Sequence, residues 1–365
     1  MIGRILGFYF ARRFAHAVAV IFLSCVTLIV LVDFLEMARR TADREQVTVS
    51  LLALLTIYRA PAFTEQLLPF AVLFGGMVTF VILSRRLELV VARAVGLSVW
   101  QFITPPVLVA FLVGVFATCV FNPVSADFKE RANQIEGDIF ASGGGTPGLT
   151  QSKKDFWIRQ QSVDGQSIIQ AQSSRQGGRV LSGVVIFEFD PAGNFMERVE
   201  AKSATLGDGA WILTDAKVLV PGLDLASYDT YLIATKLDPK QIQDSLIAPE
   251  TVSFWQLPSA IRSAEQSGFG AEKYRLQLQS LLAKPFLLVA MVLIAAVVGL
   301  RVFRFGGVGQ TILGGVLAGF LLYVGTKLAE DLGEAGIVHP VAAAWFPAVT
   351  GILLGALILL HREDG

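Results

Sequence analysis

Residues Phe70–Phe121 read FAVLFGGMVTFVILSRRLELVVARAVGLSVWQFITPPVLVAFLVGVFATCVF, and their only charged side chains are Arg85, Arg86, Glu88 and Arg93. Crossing about 30 Å of hydrocarbon takes about 20 apolar residues at about 1.5 Å of rise each. The stretch therefore holds two membrane spans joined by a short charged loop. Lys and Arg close to span ends resist translocation, so this loop is expected in the cytoplasm.

Working outward, the same criterion selects six spans: Phe14–Val32, Gln66–Ser84, one near Val99–Phe121, Pro285–Leu300, Phe305–Thr326 and Pro340–Leu360. Arg4, Arg12 and Arg13 precede the first, Arg301 and Arg304 separate the fourth from the fifth, and Arg362 follows the sixth. That alternation predicts both termini in the cytoplasm. The opposite side receives Asp33–Arg59, the acidic turn with Glu330, Asp331 and Glu334, and everything between spans three and four. No small-x-small cleavage site follows the first span before Asp33, so it is expected to be retained rather than removed as a signal. The expected fold class is an α-helical polytopic membrane protein, three spans plus three, with an extracytoplasmic insert. Its divisions are 1–121, 122–270 and 271–365. A composition of 53% apolar against 16% charged residues agrees.

The insert reads as all-β, with short runs punctuated by Gly, Asp, Asn and Pro. Expected strands are Asp155–Gln160, Ser167–Gln172, Leu181–Phe189, Phe195–Thr205, Ala210–Val220 and Thr230–Leu237. The turn residues Asp190–Asn194 and Leu206–Gly209 predict two antiparallel hairpins. Along the third strand Val185, Phe187 and Phe189 share one face and Val184, Ile186 and Glu188 the other. A strand apolar on nearly both faces belongs either to a packed sandwich or to a groove that holds acyl chains. Ser142–Gly148 reads as a flexible connector, and residues 258–283 as a helix feeding span four with Arg262, Glu265 and Glu272 outward.

Several function classes are excluded. Thirty basic residues balance thirty acidic ones, which removes the electrostatic footprint of a nucleic-acid binder. Cys25 and Cys119 sit in apolar runs, and His16, His339 and His361 share no ligand spacing, so neither a disulfide nor a metal site is expected. HExxH, GxSxG and a correctly placed GxGxxG are absent. Gly306–Thr311 is only superficially a phosphate loop, because Gln310 stands where the phosphate-binding lysine belongs. Gly315 with Gly319, and Gly351 with Gly355, are small-xxx-small pairs that either allow close helix packing or are merely tolerated.

Two charge patterns remain. Arg39, Arg40, Lys129, Arg131 and Lys284 place cations near the outer boundary, where positive charge is ordinarily depleted. Either they pair with Glu36, Asp127 and Glu130, or they hold an anionic lipid headgroup. Lys284 lies in an otherwise uncharged run from 276 to 300, which makes a substrate phosphate its favoured partner, with Glu272 as the structural alternative. The segment Arg85–Trp100 reads as an amphipathic helix, with Leu87, Val90, Val91 and Ala94 on one side. It either lies on the inner leaflet or docks into a cytoplasmic partner.

In this order, the segments LSRRLELVVARAVGLS, KDFWIRQ and EKYRLQLQSLLAKPF resemble the LptF/LptG permeases of the lipopolysaccharide exporter, and more the LptG side of that family. The resemblance covers the whole chain. It implies that the insert is a periplasmic β-jellyroll, and that about 85–99 is a coupling helix in which Arg85, Arg86, Glu88, Arg93 and Gly96 face an LptB-like ATPase dimer. ATP and its Mg would be bound by that dimer, this chain holding no cofactor of its own. An LptF-like permease partner, LptC-like and LptA-like periplasmic bridge proteins and lipopolysaccharide complete the implied partners, in the inner membrane of a Gram-negative bacterium. Spans one and five would border the substrate cavity, with Arg39, Arg40, Lys129, Arg131 and Lys284 toward the headgroup and Val185, Phe187 and Phe189 toward the acyl chains. This chain has Glu36 and Met37 where the LptG-like pattern carries lysines. Competing readings are a membrane subunit that relays ATPase movement without carrying lipid, and an enzyme of lipid A modification.

Overall fold

The computed structural model describes residues 2–42, 48–141, 156–161, 165–175, 180–190, 193–207, 209–222, 225–235, 249–266, 271–305 and 308–363. Among the described residues six helices are long and apolar enough to cross a membrane. They are α1 (Ile2–Arg40), α2 (Val49–Arg85), α4 (Val99–Phe116), α7 (Glu272–Phe305), α8 (Val308–Glu334) and α9 (Pro340–Glu363). The short α3 (Glu88–Ala94) fills the loop between spans two and three, and α6 (Leu257–Gln266) precedes span four.

The core is built around α7. Leu288, Met291, Val292, Ala295 and Ala296 are fully buried there, and Phe14, Phe80, Phe102 and Ile103 pack around them from α1, α2 and α4. Gly75 lets α1 reach α2 at backbone distance, since a Cβ would lie 2.7 Å from Val18 Cα. Gly114 does the same for Pro285 of α7, at 2.5 Å from its Cα. Both small-xxx-small pairs are close-packed: Gly315 and Gly319 face Val298 and Leu73, and Gly351 and Gly355 face Ala290 and Leu293. Packing leaves two helices uncovered. Within the chain, only 6% of the apolar window of span one and 11% of that of span five are buried, against 72% for span two and 61% for span four.

The helices run past their apolar windows. After a π-helical turn, Ala117–Phe121, span three continues as α5 (Asn122–Ala141). Ala132 and Ile135 lie at helical spacing and pack against Leu52, Leu55 and Met37, an apolar contact that makes helix rather than strand the favoured state. The helix expected over 258–283 is divided into α6 and α7, packed together through Leu257, Ala264, Tyr274 and Leu281.

Among the described residues the β insert forms one six-stranded antiparallel sheet in sequence order: β1 (Phe156–Gln161), β2 (Gln166–Arg175), β3 (Val180–Phe189), β4 (Phe195–Leu206), β5 (Ala210–Leu219) and β6 (Ala226–Ala234). The last strand starts four residues earlier than its sequence predicts, because Tyr228 and Ser227 pair with Ala216 and Lys217. At the β3–β4 turn Asn194 N donates to Asp190 Oδ1 at 2.8 Å, and Gly193 takes φ +88°. One face forms the insert's core: Ile169, Leu181, Val184, Ile186, Val199, Trp211 and Leu213 are all essentially inaccessible. The expected connector Ser142–Gly148 lies outside the described residues.

Candidate substrate path and coupling site

The ends of the helices nearer the β insert hold two charged junctions. In the first, Lys284 pairs with Glu65 of α2, both side chains being more than four-fifths buried. Asn122 Nδ2 also donates to Glu65 Oε1 at 3.3 Å, while its Oδ1 accepts from the backbone N–H of Phe254 at 2.9 Å. Trp255 Nε1 donates to the carbonyl of Cys119 in the π-helical turn at 3.0 Å. The junction thus ties spans two, three and four to the segment returning from the insert. Within the chain the partner of Lys284 is thus not Glu272 but a carboxylate 219 positions away.

In the second junction Arg59 of α2 lies between Asp33 at the end of span one, 3.4 Å away, and Glu136 of α5, 3.8 Å away. Asp33 is only 10% exposed, and its Oδ2 has no hydrogen-bond partner among the described residues. Sequence reading missed this group, which joins three helices through residues that look like ordinary loop charges.

The other expected headgroup cations are more accessible. Arg40 Nε donates to Glu36 at 2.8 Å and Arg131 pairs with Asp127 at 3.1 Å, each over one helical turn. Lys129 pairs with Glu250. Arg39 is exposed and makes no salt bridge among the described residues. Exposed pairs of this kind are worth about 0–1 kcal/mol.

On the sheet, Val185, Phe187 and Phe189 lie half-buried on the face opposite the packed core. Arg198 sits 5.8 Å above the Phe187 ring, and Phe189 meets Phe195 edge-on at 5.8 Å. Beside the core Tyr231 donates to Glu197 Oε1 at 2.7 Å. Burial first, and then this carboxylate, push the Tyr231 phenol well above the usual tyrosine range.

At the opposite end of the helices α3 is shorter than its expected 85–99. Span two runs through Arg85, Leu87 takes a left-handed φ of +59°, and Gly96 at φ +88° turns the chain toward α4. The buried side of α3 is Leu89 and Ala92 rather than Leu87 and Val91, which are exposed along with Val95. Arg85, Arg86 and Arg93 are exposed. Glu88 instead turns inward: its Oε2 accepts from Tyr9 Oη at 2.9 Å, Arg13 Nη1 lies 3.4 Å from its Oε1, and Arg13 donates to Tyr9. The expectation that Glu88 is displayed for docking alongside the arginines missed this intrachain use, because helix α1 is remote in sequence.

Residues 8–362 match the model of the lipopolysaccharide export system permease LptF/LptG family. The chain belongs to the LptF/LptG family. It is 22% identical over 321 residues to lipopolysaccharide export system permease protein LptG of Escherichia coli strain K12, covering 84% of this chain and 85% of that protein. The protein of the same description from Escherichia coli O6:H1 matches equally. Membership agrees with the six spans and the β insert, and it makes this a multi-pass membrane protein of the permease type.

Proposed function

We propose that the chain is one half of an inner-membrane permease that extracts lipopolysaccharide from the outer leaflet and passes it to a periplasmic β-structured path. The observation that carries this reading is the exposure of spans one and five. Both lean on α2, Val18 against Gly75 and Gly319 against Leu73, and leave the remainder of two long apolar surfaces uncovered. Helices of this kind are completed by another membrane subunit and by lipid, an LptF-like partner and lipopolysaccharide in this family reading. The large domain lies in the periplasm and both termini in the cytoplasm, following the positive-inside pattern.

Arg39, Arg40, Lys129 and Arg131 meet the anionic headgroup, where weak surface pairs yield to phosphate. Lys284 contributes indirectly, by holding Glu65 and the outer ends of three spans in place. Acyl chains lie against Val185, Phe187 and Phe189, since the opposite face of β3 is already filled by the insert's own core. Arg85, Arg86, Glu88, Arg93 and Gly96 form the site through which an LptB-like dimer, holding ATP and Mg, drives the chain. LptC-like and LptA-like proteins receive the lipid. No bond in the lipid is made or broken.

Reconstitution of this chain with an LptF-like partner and an LptB-like ATPase in liposomes loaded with lipopolysaccharide tests the reading. ATP is expected to release lipid to an LptA-like acceptor. Hydrolysis at full rate without release would favour a relay subunit instead.

A further inference from the structure

Pro123 and Pro285 bring the same defect to spans three and four. Proline lacks the N–H that would donate to the carbonyl four residues earlier, and its ring crowds that carbonyl. The two carbonyls released are those of Cys119 and Leu281, and each is taken by a side chain from elsewhere in the fold. Thr118 Oγ1 donates to Leu281 at 2.9 Å, and Trp255 Nε1 donates to Cys119 at 3.0 Å. Crowding also accounts for the wide turn over Ala117–Phe121, where the N–H of Asn122 reaches back to the carbonyl of Ala117. The two caps differ in permanence. Thr118 is 3% exposed and sealed inside the bundle, whereas Trp255 is 66% exposed and can leave its carbonyl without opening the core.

Trp255 also sits where both chain connections of the β insert meet. α5 leads from the π-helical turn toward the insert, and the segment returning from it comes back onto the same turn: Phe254 N donates to Asn122 Oδ1 at 2.9 Å, and Glu250 pairs with Lys129 of α5. Below the turn α4 is fixed to α7, with Gly114 against Pro285. Beyond it α5 packs through Ala132 and Ile135 on the start of α2, and α2 has prolines of its own, Pro61 and Pro69, between that contact and its later turns. The insert-side parts of both helices are thus built to shift as one piece. We infer that Ala117–Pro123 is a hinge between span three and the insert, latched by the Trp255 indole, with Asn122 a positioning residue that seats the returning segment. A helix that lacks a backbone bond at a proline beside a π-helical turn bends there at little cost. The indole supplies the missing donor from outside the helix, so bending requires Trp255 to let go, and latching requires the returning segment to be in place.

The test reads the bend directly. Spin labels at Leu108 of α4 and Gln134 of α5, both exposed and on opposite sides of the turn, are placed in the full chain in lipid nanodiscs. Cys25 and Cys119 are replaced by alanine, which leaves the main-chain carbonyl at 119 intact. Lipid release plays no part in the readout, so its outcome is separate from that of the permease reading. The chain otherwise unaltered is expected to give one narrow separation. Trp255→Phe keeps an aromatic ring and removes the donor, and should broaden the distribution about twofold toward shorter separations. Pro123→Ala returns a backbone donor to the carbonyl, so in that background Trp255→Phe should leave the distribution narrow. Trp345→Phe, which removes the indole bond to Gln279 at 3.0 Å, should also leave it narrow. A distribution already broad with Trp255 in place or unmoved by Trp255→Phe, equal broadening with and without Pro123, or broadening by Trp345→Phe overturns the inference.

Discussion

Replacing Lys284 by alanine strands the Glu65 carboxylate against Asn122 in a place with little water. Removing one partner of a buried pair costs about 3–5 kcal/mol, whereas replacing both by apolar groups of similar size is often neutral. Lys284→Ala should therefore lower the thermal midpoint of the detergent-purified complex by many degrees, and Lys284→Met/Glu65→Leu should recover most of the loss. Lys284→Glu, which sets two carboxylates together, should fail at assembly rather than at transport alone. Intact assembly with selective loss of lipid extraction would return Lys284 to the headgroup site. The isolated charge was legible in the sequence, but its partner was not, since no local pattern connects positions 219 apart. Tyr231 yields a pH prediction of definite sign. Its folded-state pKa is raised, so its contribution to stability is complete below the ordinary tyrosine range and is lost as pH rises through the folded value. The tyrosinate absorbance assigned to Tyr231, taken as the difference between the unaltered chain and Tyr231→Phe, should appear above that of the other tyrosines and together with loss of strand circular dichroism. Titration within the ordinary range would show that the phenol is not held.

At the scale of elements, close helix approach depends on what each glycine faces. A methyl group at Gly75 meets the backbone of Val18, and one at Gly114 meets that of Pro285, neither of which can turn aside. At Gly319 the obstacle is the far end of Leu73, and at Gly325 the space is open. Overpacking costs about 1–3 kcal/mol where neighbours cannot yield. Gly75→Ala and Gly114→Ala should each lower the thermal midpoint, Gly319→Ala less so and Gly325→Ala not at all; equal effects at all four would contradict helix packing as the cause. Span number and the β character of the insert were readable because a bilayer imposes a length and a sheet imposes a period of two on apolar residues. The extension of span three through α5 was not, because its polar sequence hides the Ala132 and Ile135 contact with α2. The burial side of α3 escaped for a related reason: in and beside a seven-residue helix Leu87, Leu89, Val90 and Val91 offer apolar groups nearly all round, and only its place in the buried helix cluster selects Leu89.

Across the whole molecule, the least covered helices and the accessible cations near the insert are, on the proposed reading, completed by other chains and by lipid. The junctions at Lys284–Glu65 and Asp33–Arg59–Glu136 brace its outer end, and Glu88–Tyr9–Arg13 braces its inner end. A membrane subunit that merely relays ATPase movement needs the inner brace but not a lipid-accessible route from span one to the sheet. Site-specific photocrosslinking in the reconstituted complex separates the two. Photoreactive side chains at Leu28 on the uncovered side of span one and at Phe187 on the half-buried face of the sheet should both form lipopolysaccharide adducts, the latter only while ATP is hydrolysed, and Ile186 in the insert's core should form none. Adducts at neither Leu28 nor Phe187, in a complex that hydrolyses ATP and delivers lipopolysaccharide to its acceptor, would show that the lipid travels elsewhere and that this chain is not its path.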